Sequence, residues 1–232
     1  DIPNLVTIPG ATIVDVAAGN GYTALVDNKG KVYVCGKVAG INSTEPVAIE
    51  TITTAVKVAA GDELIVLTKD GNVVKIGDVN TEIYNSKDAI DIVAKDSNYM
   101  LLTKSNKMYT WGTNKNGQLG LENSTDVTTP TLVDTDTNVI SIGSGINNTY
   151  YIANSGLVYA SGLNTYGQLG NGTNQNSNTY KLVGTREFSV KPDTLIRVLM
   201  TYKGLENPID VKEQQLETPE RTGFVAVEWG GT

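Results

Sequence analysis

The chain has 232 residues, and its 18 Lys plus Arg against 25 Asp plus Glu leave a formal charge of −7. That balance excludes a phosphate-gripping surface, which needs clustered positive charge. The complete absence of His excludes Ser-His and Cys-His nucleophile pairs and imidazole metal sites, and a lone cysteine excludes an internal disulfide or a multi-thiolate zinc site.

Self-comparison sets the order of the elements. Four segments align: Ile13 to Gly19, Ala55 to Gly61, Ile90 to Asp96 and Val139 to Gly145. Their last residues lie 42, 35 and 49 residues apart. Each leads into an apolar stretch, a polar turn and a second apolar stretch that ends at Gly36, Gly77, Gly112 or Gly162, always 16 or 17 residues on. In the first unit, Tyr22 to Val26, the turn Asp27-Asn28-Lys29-Gly30 and Lys31 to Cys35 predict a β-hairpin. In the second, Leu64 to Thr68, Lys69-Asp70-Gly71-Asn72 and Val73 to Ile76 predict another. Cys35 closes an apolar run and is expected to be a small buried hydrophobe. No helical period occurs, and the strands are short and rich in Val, Ile, Tyr and Leu, so an all-β repeat is predicted. Repeats of about 35 to 50 residues with about four strands each have the size of propeller blades.

The third and fourth units carry Met108-Tyr109-Thr110-Trp111-Gly112-Thr113-Asn114-Lys115-Asn116-Gly117-Gln118-Leu119-Gly120 and Val158-Tyr159-Ala160-Ser161-Gly162-Leu163-Asn164-Thr165-Tyr166-Gly167-Gln168-Leu169-Gly170. With the Ala-Ala-Gly elements upstream, these resemble the repeat of the RCC1 (regulator of chromosome condensation) family over residues 1–184. The resemblance implies an all-β fold of RCC1-like β-propeller blades, about four repeats, with the ring incomplete within the chain. The expected blades are 9–50, 51–87, 88–134 and 135–184, with 1–8 as the closing strand of a blade, since Pro3-Asn4-Leu5-Val6 resembles Pro130-Thr131-Leu132-Val133. Family repeats usually place His-Thr after Ala-x-Gly. Here those positions hold Tyr22-Thr23, Leu64-Ile65, Tyr99-Met100 and Asn148-Thr149, and the second repeat replaces the Gly-Gln-Leu-Gly loop by a short Asp78-Val79-Asn80 connection. This degeneracy resembles bacterial and phage members. The missing blades leave three arrangements open: upstream blades removed, partner chains completing the ring, or an open array whose sheet edges are exposed.

After Gly184 the composition changes, and residues 185–232 are expected to form a small β-rich module. Its apolar residues Phe188, Leu195, Val198, Phe224, Val225, Val227 and Trp229 are the expected docking or oligomerisation surface, because so short a sheet cannot bury them alone. The chain opens at Asp1 without an initiator Met, which suggests a processed product or fragment.

Scattered carboxylates at turns show no catalytic pairing, and Asp134-Thr135-Asp136-Thr137-Asn138 lacks the glycine and distal glutamate of a calcium loop. The glycines around Gln118 precede no helix and carry no Gly-Lys-Ser/Thr, so they are repeat turns and not a phosphate cradle. No enzyme activity, cofactor or metal is expected. The Asn- and Gln-rich loops are the binding candidates, with Asn114, Asn116, Gln118, Asn164, Tyr166 and Gln168 as ligand-contacting residues for a protein or glycan receptor. The expected function is a structural or adhesive component of an extracellular bacterial surface assembly or a virion. It would bind other copies or neighbouring subunits, with no nucleic acid and no membrane insertion. The alternative is a monomeric RCC1-like protein-binding module of the enzyme-inhibitor or GTPase-regulator type.

Overall fold

The computed structural model describes residues 6–184. The chain separates into compact units at Asp1–Ser189 and Val190–Thr232. The tail residues Phe188, Leu195, Val198, Phe224, Val225, Val227 and Trp229, and the expected strands there, lie outside the described residues.

Among the described residues there are sixteen strands and no helix. Blade 1 holds β1 (Ile13–Gly19), β2 (Tyr22–Asp27), β3 (Val32–Val38) and β4 (Ile41–Ile49). Blade 2 holds β5 (Ala55–Ala60), β6 (Leu64–Thr68), β7 (Val73–Ile76) and β8 (Thr81–Tyr84). Blade 3 holds β9 (Ala89–Lys95), β10 (Asn98–Thr103), β11 (Met108–Gly112) and β12 (Val127–Leu132). Blade 4 holds β13 (Val139–Ser144), β14 (Asn148–Ala153), β15 (Val158–Gly162) and β16 (Ser177–Leu182). Each is a four-stranded antiparallel meander in sequence order. Residues 6–8 form no strand, and the rest of the expected closing strand 1–8 lies outside the described residues.

The predicted turns make the hairpins. In blade 1 the buried Asp27 carboxylate accepts the N–H groups of Lys29 (2.9 Å) and Lys31 (2.8 Å) and the Tyr33 hydroxyl (3.2 Å). Burial alone would raise this carboxyl, but those donors hold it below the usual carboxylate range. Gly30, at φ +84, completes the turn in the left-handed region.

Blades are not half-buried sheets with one wet face. The central strand β6 is buried at all five residues, and β10 at all six, because each central blade is covered on both sides. Register alternation then assigns neighbours. Ala24 and Val26 pack with Leu64 and Val66 between blades 1 and 2. Ile65 and Leu67 meet Tyr99 and Leu101 between blades 2 and 3. Met100 and Leu102 meet Ile142 and Tyr151 between blades 3 and 4. The blades therefore follow one another in chain order, and the described residues do not close the ring. Cys35 is only half-buried. Its expected burial is corrected, because it lies on the side of blade 1 that no described blade covers.

Three backbone bonds repeat at the seams. Ala55, Ala89 and Val139 each donate an N–H to the hairpin turn of the preceding blade, at Gly30 (3.0 Å), Gly71 (3.1 Å) and Asn106 (3.0 Å). At the opposite end of the strands, Asn20 N–H donates to Gly61 O (3.3 Å) and Asp62 N–H to Asp96 O (2.7 Å).

Candidate functional site

One side of the blade series carries the turns between the first two strands and the connections between the last two. The β11–β12 and β15–β16 connections there are the long Asn-x-x-Gly-Gln-Leu-Gly loops, and they are built alike. The Asn114 side chain accepts Leu119 N–H (3.0 Å) and donates to Asn123 O (3.0 Å). The Asn164 side chain accepts Leu169 N–H (2.8 Å) and donates to Thr173 O (2.8 Å) and Gln175 O (3.0 Å). Gln118 accepts Asn116 N–H and Gln168 accepts Tyr166 N–H, both at 2.9 Å.

These amides hold the loops together from inside. Asn114, Gln118 and Asn164 are buried, so their expected role as ligand contacts is corrected. An Asn side chain can mimic a backbone turn, and enclosed in a loop it satisfies N–H groups that would otherwise be orphaned. Asn116 and Gln168 are half-buried, while Tyr166 is 91 % exposed and is the one expected contact residue that stands free in solvent.

The blade 3 loop is also a clamp on blade 4. Ser161 Oγ donates to Gly117 O (2.8 Å), Thr149 Oγ1 donates to Gln118 O, and Glu122 N–H donates to Asn178 O (2.9 Å). Asn116 reaches Asn147 (3.3 Å) and receives Asn176 (3.4 Å). The buried Tyr180 hydroxyl meets Thr149 Oγ1 at 2.7 Å beside Gly120. Burial pushes its ionisation well above the usual tyrosine value.

Blades 1 and 2 have no such clamp. The β3–β4 connection is the two-residue turn Ala39-Gly40, and the β7–β8 connection is similarly short. Without a loop to fill it, a groove of about 500 Å³ opens there, with Lys37, Asn42, Asp62, Glu63 and Asp78 in its wall. Ala39 and Gly40 take φ +50 and +74, the mirror-handed turn that matches strand twist. For Ala39 this costs about 1–2 kcal/mol, a local strain at the edge of the groove. Lys75 pairs with Glu63 at 3.1 Å. The remaining charges in the wall are Lys37, Asp62 and Asp78, so the groove is acidic. The short Asp78-Val79-Asn80 connection was the signal for this groove. A missing loop becomes a cavity only when two neighbouring blades both lack one.

Comparison with known proteins agrees with this architecture. The family profile of the regulator of chromosome condensation (RCC1) repeat matches residues 105–152 and 155–191, and a second RCC1 repeat profile matches residues 89–118. The serine/threonine-protein kinase Nek9 of Mus musculus is 23 % identical over 70 % of this chain, which spans 14 % of that kinase. The X-linked retinitis pigmentosa GTPase regulator of Homo sapiens is 35 % identical over 41 % of this chain, which spans 10 % of it. Prp20p of Saccharomyces cerevisiae superposes with a TM-score of 0.69 at 15 % identity, over 79 % of this chain and 52 % of its own. The chain thus spans about half of that solved propeller and a small part of the curated relatives. Its repeats are RCC1 repeats, and the described residues are four RCC1-like propeller blades.

Proposed function

We propose that this chain is a non-enzymatic protein-binding module whose loop-bearing side captures a basic polypeptide segment. The acidic groove between blades 1 and 2 carries the reading. It is concave, of a size typical of recognition pockets, and edged by a strained turn. Tyr166, exposed on the same side, supplies an aromatic anchor of the kind that dominates protein interfaces. The relatives support the class: the Prp20p structure is described with binding properties to Gsp1p and histones, and a second structure holds Kap60 bound to the same yeast protein. The alternative setting, an adhesive part of a surface assembly or virion, draws on the Asn- and Thr-rich loops alone.

The test is binding of immobilised lysine-rich, neutral and glutamate-rich peptides to the full chain. The lysine-rich peptide is expected to bind best, and to lose at least tenfold in affinity on Asp78→Lys combined with Asp62→Lys. Asp70→Lys, on the opposite side of blade 2, is expected to leave binding within about twofold, since a distant exposed charge is screened. Equal binding of all three peptides, or equal losses from the two sides, overturns the reading.

A further inference from the structure

The described blades expose one unpartnered face at each end of the series. Blade 1 presents the upstream face that every later blade buries. Val16 is 62 % exposed, whereas the residues at its position in blades 2, 3 and 4, Val58, Ile92 and Ile142, are 3, 0 and 8 % exposed. Ile13 is likewise exposed, while Ala55, Ala89 and Val139 are buried. Leu25, Tyr33 and Cys35 complete this face and are only half-buried. Blade 4 presents the matching downstream face. Ile152 is 36 % exposed where Val26, Leu67 and Leu102 are at most 3 % exposed. Above it stands the second clamp, whose Gly167 carbonyl receives no side chain like Ser161 among the described residues.

The two faces are complementary in more than apolar character. At each internal seam the first N–H of the later blade donates to the hairpin turn of the earlier one. Ile13 N–H and Gly156 C=O occupy those two positions at the free ends, and among the described residues neither has that partner. The free clamp of blade 4 matches the one that already holds a blade at Gly117 and Gln118. The free ends thus carry the same pair of surfaces that mates three times inside the chain.

We propose that the occupant is a second copy of this chain, joined head to tail. The downstream face of blade 4 in one copy packs on the upstream face of blade 1 in the other, and a second such joint returns the favour. This is a heterologous contact, and two four-blade halves close a ring of eight, within the range of known propellers.

Sedimentation of the full chain is the test. Its mass is expected to rise from one chain to two as concentration increases from about 1 to about 100 µM, as mass action requires. Val16→Asp on the upstream face and Ile152→Asp on the downstream face are each expected to weaken association at least tenfold, and Tyr166→Asp gives a fully exposed downstream variant if Ile152→Asp fails to fold. An equimolar mixture of an upstream and a downstream variant retains one intact joint and is expected to recover dimer. A chain that stays monomeric throughout, a dimer indifferent to both variants, or a mixture that recovers nothing overturns the proposal.

Discussion

Gly117→Ala and Gly167→Ala form a matched pair that isolates the energy of one blade seam. Both glycines hold the same place in an Asn-x-x-Gly-Gln-Leu-Gly turn, at φ +78 and +76. The left-handed penalty for alanine, about 1–2 kcal/mol, is therefore common to both. The surroundings differ. A Cβ on Gly117 would stand 2.5 Å from Asn178 Cα in β16 of the next blade, and that backbone cannot rotate away. A Cβ on Gly167 would meet only Asn174 Oδ1 of its own loop, at 3.4 Å. Contact without repulsion needs roughly 3.5 Å between heavy atoms, so the strand must retreat by about 1 Å. Such overpacking costs about 1–3 kcal/mol beyond the conformational penalty. Gly117→Ala is expected to lose about 2–5 kcal/mol and Gly167→Ala about 1–2 kcal/mol, by the same two effects. Urea unfolding reads the difference through Trp111, which is buried in blade 3 and stacked on Tyr99 at 5.5 Å between centroids. Both variants carry Trp229→Phe so that one indole reports. Equal losses, or a milder effect at Gly117, would refute the assignment of this loop as a clamp on blade 4.

The Asp27 carboxyl is depressed in the folded chain, so it stabilises the fold above the unfolded value of about 3.9 and the contribution fades as pH falls through the lower folded value. Asp27→Asn is expected to cost about 1–3 kcal/mol at neutral pH and to flatten the acid limb of a stability profile from pH 6 to 2; a parallel profile would count against the turn network. Two buried tyrosines behave oppositely on loss of the hydroxyl. The Tyr22 hydroxyl has no hydrogen-bond partner among the described residues, so Tyr22→Phe is expected to be neutral or stabilising, whereas Tyr180→Phe removes the bond to Thr149 and costs about 1 kcal/mol. Both tyrosines keep their protons to higher pH when folded than when unfolded, so stability falls above about pH 10 and each Phe variant lessens that fall. Thermal melts from pH 8 to 11.5 measure it, and an unchanged alkaline limb in both variants would contradict the burial argument.

The repeat, its hairpins and its all-β character were legible in the sequence because they rest on local physics. Glycines at fixed spacing end each third strand, Asp27 and the Asp-Gly turns cap hairpins with bonds that span four residues, and alternating apolar side chains define sheet faces. The loop amides were legible as a pattern but not as a role. Nothing in Asn114 or Gln118 says whether the amide faces inward or outward, since that depends on what packs over the loop, and in blade 3 that neighbour is contributed by β14 to β16, some 30 to 60 residues later. The same motif in blade 4 is chemically near-identical and stands in solvent at Tyr166. Only the tertiary structure decided this, along with the acidic groove and the two unpartnered faces. Each is a relation between blades, and burial is set by whichever surface arrives from a distant part of the chain, not by the residues that await it.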